Sequence, residues 1–124
     1  MMPRPTLLVA EPEPKEALST RKLVLETGKF NVVTAHSTRE ALAIFNLFPN
    51  VTGVVLVPGA EIDCDEIASS IRKMTSKTPI IALDPHVAAM LKCADHTVST
   101  HEPMKLLELL RELFGDPRRM DDGE

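Results

Sequence analysis

Aromatic residues are nearly missing from this chain of 124 residues: it has no tryptophan, no tyrosine and four phenylalanines. The core must therefore be built from aliphatic side chains, and few rings remain to anchor a ligand. Cysteine is scarce as well. Cys64 and Cys93 cannot frame a disulfide scaffold and read as reduced, structural thiols. No apolar run approaches the ~18 residues that a membrane-spanning helix requires, and the opening Met1-Met2-Pro3-Arg4-Pro5 lacks a following signal-peptide core. An excess of basic charge is missing too: the formal net charge is −4, whereas a nucleic-acid partner calls for a basic face. No GxGxxG, phosphate-binding or HExxH motif occurs, and no Ser/His/Asp order can be traced. Gly53 and Gly59 stand alone and suit turns. These absences lead us to expect no catalytic residues, no metal, no cofactor, no nucleic-acid or membrane partner, and a cytoplasmic location.

What is present is a regular alternation. Thr6-Leu7-Leu8-Val9-Ala10, Asn31-Val32-Val33-Thr34-Ala35, Val54-Val55-Leu56-Val57, Pro79-Ile80-Ile81-Ala82-Leu83 and Thr97-Val98-Ser99 are short apolar runs of the kind that form strands buried on both faces. Helical patterns separate them. Pro14 opens one that carries Ala17, Leu18, Val24 and Leu25, with Gly28 as its stop. Ser37-Thr38-Arg39-Glu40 has the spacing of a capping box ahead of Ala41, Leu42, Ile44 and Phe45. Asp63 is positioned to cap a helix over about 65–74, with Ile67, Ile71 and Met74 facing inward. Residues 85–93 leave room only for a brief fourth helix. The last helix, from Met104 to Phe114 behind Pro103, turns Leu106, Leu107, Leu110 and Leu113 to one side and stops at Gly115.

Five strands alternating with helices imply a single α/β domain with a flavodoxin-like, three-layer architecture: a parallel sheet of order 2-1-3-4-5 between helices. Its core spans about 5–115, followed by a polar tail over 116–124. A functional cleft belongs beyond the carboxyl ends of strands one and three, where the strand order reverses.

With these elements in place, the chain resembles a receiver domain of two-component response regulators, the chemotaxis-regulator-like family. Leu7 to Pro14 resembles that family's first strand, acidic cluster and helix-opening proline. Pro58-Gly59 resembles the turn after its phosphoacceptor. Pro79 to Leu83 resembles its fourth strand, and Ala94-Asp95 with Pro103 its final segment. The resemblance implies a phosphorelay role and a cleft at Glu11, Pro12, Val57, Asp84 and either His101 or Glu102.

The residues in that cleft depart from the family pattern. The phosphoacceptor aspartate falls on Val57, which has no oxygen to phosphorylate. Of two acidic Mg²⁺ ligands one remains, Glu11, and the other is Pro12. The sensing hydroxyl becomes Asp84, and the lysine becomes His101 or Glu102. The fourth helical segment is shortened relative to the family. His86, His96 and His101 with Asp84 match no closed metal motif. The reading is a stand-alone, phosphorylation-independent pseudo-receiver that binds a protein of a signalling pathway. Met104 and Leu109, left outside the leucine stripe of the last helix, mark its partner surface and a route to a weak homodimer. The alternative is a small-ligand or metal-binding domain using Glu11, Asp84 and His101.

Overall fold

The structure, a computed structural model, describes residues 5–12, 20–83, 94–99 and 102–115. Strands β1 (Thr6–Ala10), β2 (Asn31–Ala35), β3 (Gly53–Leu56), β4 (Ile80–Leu83) and β5 (His96–Val98) alternate with α1 (Thr20–Thr27), α2 (Thr38–Leu47) and α3 (Cys64–Met74), and α4 (Pro103–Phe114) closes the series. All neighbouring strands are parallel, in the order β2-β1-β3-β4-β5. The expected flavodoxin-like sheet is the one observed. The region expected to carry the brief fourth helix lies outside the described residues, as does the start of the first helix at Pro14.

Strand side chains alternate between two faces, and each face has its own helices. Leu8, Ala10, Val54, Leu56 and Ile80 pack with Ala41 and Phe45 of α2 and Ile67, Ala68 and Ile71 of α3. Leu7, Val9, Val55, Ile81 and Leu83 pack with Leu25 of α1 and Leu106, Leu107 and Leu110 of α4. Each fully buried leucine or isoleucine stabilises the fold by about 1.5–3 kcal/mol relative to exposure, and the two layers are mainly aliphatic, with Phe45 the buried ring of the first and Phe30 that of the second.

The helix ends follow the sequence closely, with informative exceptions. Asp63 caps α3 by accepting from Glu66 N–H at 3.0 Å, and Ser37 caps α2 by accepting from Glu40 N–H at 3.1 Å. The reciprocal half of the expected capping box is displaced by one residue: Glu40 Oε1 accepts from His36 N–H, at 3.1 Å. Gly28 does not adopt the left-handed conformation that ends α1. Lys29 does, with φ of 73°, between the Lys29 N–H to Glu26 C=O bond (2.9 Å) and the Phe30 N–H to Leu25 C=O bond (3.1 Å) that define a Schellman motif. Gly28 is required for room instead, since a Cβ there would lie 2.7 Å from Leu107 Cδ1. Met74, expected inward, is instead 51% exposed in the last turn of α3.

The lower end of the sheet, where the strands begin on the β4 side, is held by one carboxylate. Asp95 Oδ2 accepts from Ile80 N–H at 2.8 Å and pairs with Arg72, which also donates to Thr78 C=O at 2.8 Å. Asp95 N–H returns a bond to Ile80 C=O at 2.8 Å. Ala94-Asp95 therefore ties the start of β4 to β5 and α3.

Candidate functional site

The register places two of the expected cleft residues, Glu11 and Val57, side by side at the upper end of the sheet. Ala10 pairs with Leu56, so the next residues, Glu11 and Val57, leave β1 and β3 together. Val57 N–H donates to Ala10 C=O at 2.8 Å and Glu11 N–H to Ala35 C=O at 2.9 Å, which extends the sheet by one residue before the chains diverge. Val57 is 6% exposed and its side chain belongs to the core shared with Val9, Leu83 and α4. Glu11 is 2% exposed.

Pro12 and the β3–α3 turn interlock. A Cβ on Gly59 would lie 2.2 Å from Pro12 Cγ, so the proline ring occupies the space that any larger residue at 59 would need. The turn itself is closed by the Ile62 N–H to Gly59 C=O bond, 3.2 Å. It is clasped to α2 by Thr38, whose N–H donates to Glu61 C=O at 2.9 Å and whose hydroxyl accepts from Asp63 N–H at 2.7 Å. Thr38, this turn and the start of α3 line an open depression of about 540 Å³, in which Pro58, Ala60 and Ile62 lie among Glu61, Asp63 and Asp65.

A Mg²⁺ ion does not fit the described donors. Mg²⁺ needs near-octahedral oxygen ligation at about 2.0–2.1 Å. Here Glu11 stands beside a proline ring and an apolar Val57, and among the described residues no group of three or more His, Cys, Asp or Glu converges. Asp84 and His101 lie outside the described residues, together with Glu13, His86 and Cys93. Glu102 precedes α4 without bonding its free N–H groups and turns instead to Lys105, 2.8 Å away. That hydrogen bond and the carboxylate charge hold the exposed Lys105 ammonium above its usual pKa.

Sequence reasoning missed His36. Its Nδ1 lies 3.1 Å from Glu11 C=O, a bond that requires a proton on Nδ1 and joins the β2–α2 connection to the end of β1. Nothing in the local pattern marks it, because the contact depends on the β1–β2 register.

The expected partner surface needs one correction. Met104 is exposed, but Leu109 packs partly buried against the α4-side core, alongside Val98 and Phe114. Leu113 is exposed in its place. Phe114 takes the last-turn position over Gly53, where a Cβ would lie 2.9 Å from its ring. Met104 and Leu113 are nine residues apart. At 100° per residue they point to opposite sides of α4, so no continuous apolar face remains on this helix.

No protein-family model matches the chain, and no curated protein matches it by sequence. Solved structures do match in fold. The response regulator TrrA of Thermotoga maritima, in complex with Mg²⁺–BeF, aligns with a TM-score of 0.72 at 26% identity over 89% of this chain and 99% of that one. TrrA in complex with the histidine kinase ThkA aligns with a TM-score of 0.72 at 27% identity over 89% and 98%. The chemotaxis response regulator CheY4 of Vibrio cholerae aligns at 0.71 and 20% identity over 90% and 100%. A CheY-like receiver domain protein of Methanospirillum hungatei gives 0.73 and 18% over 89% and 93%. The fold is that of response-regulator receiver domains.

Proposed function

We propose that this chain is a receiver-type domain of two-component signalling that acts through protein binding without being phosphorylated. The observation that carries the proposal is Val57. At the position where the resembling family keeps its phosphoacceptor, an apolar side chain is folded into the core, and the adjoining Pro12 ring fills the space against Gly59. A phosphoryl group needs an oxygen nucleophile and a cation that offsets its charge. Val57, at the end of β3, supplies neither. The domain then signals by what it contacts. The Met104 end of α4, next to the short edge strand β5, is one such contact in this proposal, and TrrA bound to a histidine kinase supports a protein as the partner class. A cytoplasmic location belongs to the same proposal; no described helix is long and apolar enough to cross a membrane.

Incubation with Mg²⁺ and acetyl phosphate, followed by intact mass measurement, tests the proposal. The expected spectrum contains the unmodified mass alone. A stoichiometric phosphoryl adduct contradicts the proposal.

A further inference from the structure

Among the described residues, three large apolar side chains lie outside the core on the α2/α3 side: Leu47 at 73% exposure, Phe48 at 59% and Met74 at 51%. They share one end of the molecule. Both helices connect parallel strands and therefore run the same way, and their starts are joined by the Asp63 N–H to Thr38 Oγ1 bond. From that bond Leu47 is nine residues on and Met74 eleven, so the two helices finish within about 3 Å of the same height. Phe48 is the C-cap of α2, its N–H spent on Ile44 C=O. The other phenylalanines are used differently: Phe30 and Phe45 are buried and Phe114 packs against the core. In a chain so poor in rings, one ring beside a leucine is left in water.

The charges on this side are segregated along the same axis. At the lower end Lys73 and Lys77 are exposed, while the nearby Asp95 carboxylate is taken by Arg72 and Ile80 N–H. The upper end carries Glu40, Glu61, Asp63, Asp65 and Glu66, with Arg39 beside them as the single cation among the described residues there. Helix dipoles account for Asp65, Glu66 and Lys73. They account for neither Lys77 nor Glu61, and not for the apolar trio. The upper end also holds the depression, where Pro58, Ala60 and Ile62 lie among Thr38, Glu61, Asp63 and Asp65 in a lining more polar than apolar; its carboxylates complement lysines that flank an apolar knob.

We infer that the lower end of one copy docks on the upper end of a second copy. Phe48 and Leu47 enter the depression lined by Thr38, the 58–63 turn and the start of α3, and Lys73 and Lys77 face Glu61 and Asp65. The contact is head-to-tail. It uses different surfaces on the two copies, so each added copy leaves both ends of the chain open and assembly grows with concentration unless a ring closes. Salt weakens it, because the rim charges are exposed. The upper docking surface shares the Pro58-Gly59 turn with the strand-end cleft, whereas the lower one lies at the opposite end of the sheet.

Sedimentation velocity from micromolar to millimolar protein tests the inference. Wild type is expected to pass beyond dimer mass as concentration rises and to return toward monomer at high salt. Phe48→Asp disables the lower end and the pair Glu61→Lys, Asp65→Lys the upper end; each variant alone is expected to stay monomeric. An equimolar mixture of the two is expected to form a dimer and nothing larger, since one intact lower end meets one intact upper end. Lys77→Glu repeats the lower-end loss without touching an apolar residue, and circular dichroism checks that every variant is folded. A wild type that is monomeric throughout overturns the inference. So does a mixture that stays monomeric while wild type associates, because that result assigns the contact to a symmetric face.

Discussion

The two ends of the sheet use polar groups in opposite ways. At the lower end on the β4 side, Asp95 bonds the Ile80 amide and pairs with Arg72, and Arg72 reaches Thr78 C=O. At the upper end, where a receiver fold would do its chemistry, the strand termini present Val57 in the core and a proline ring pressed on Gly59. The first end shows a part-exposed carboxylate whose Oδ2 is held by two donors. At the ends of β1 and β3 themselves the second holds Glu11, buried beside Val57, and among the described residues no three metal-ligating side chains converge. Among the described residues, the lower end uses a carboxylate to hold strands together, while the ends of β1 and β3 pack Val57 and Pro12.

The contrast breaks most visibly if charge is returned to the upper end. Val57→Asp puts a carboxylate in the core without a described cation beside it, and we expect a loss of about 2–4 kcal/mol in urea unfolding at neutral pH. Burial raises the folded-state pKa of such a group, so the loss should shrink as pH falls toward the unfolded value of about 4. Removing charge from the lower end comes next. Asp95→Ala leaves the Ile80 amide without its acceptor and should cost about 1–3 kcal/mol, whereas Asp95→Asn keeps an acceptor and should recover part of it. The partial exposure of the Arg72–Asp95 pair limits the ionic share of that loss.

The interlock itself is tested by Gly59→Ala. Its new Cβ would collide with the Pro12 ring and should cost about 1–3 kcal/mol. Pro12→Ala should relieve most of this, which a double-mutant cycle in thermal unfolding would register as coupling. The smallest effect has the opposite sign. Lys29→Gly removes the left-handed strain at φ of 73° and should stabilise by about 0.5–1 kcal/mol after the extra flexibility of glycine in the unfolded chain is counted.

Much of the scaffold is legible in the order of the residues alone. β1 and β2 fall on the expected residues, Asp63 and Ser37 cap the helices assigned to them, and the strand order follows from alternation and connection rules. What periodicity cannot supply is helix phase against the sheet. Leu109 packs against the core while Leu113 is exposed, and Phe114 rather than Leu113 lies over Gly53. Met74, in the last turn of α3, is exposed as well. Glu40 bonds one residue upstream of the cap because the β2–α2 connection bends at His36, whose ring is drawn to Glu11 C=O. At the cleft the residue types are readable at Glu11, Pro12 and Val57, but the fit of Pro12 against Gly59 arises between two loops that only the β1–β3 register brings together.

The most direct measurement of the central claim is a titration of the isotope-labelled chain with Mg²⁺ and beryllofluoride, the phosphoryl mimic, followed amide by amide in NMR. An upper end given to packing predicts no saturable shift at Glu11, Val57 or Gly59. Saturable, Mg²⁺-dependent shifts centred on those three amides would contradict it.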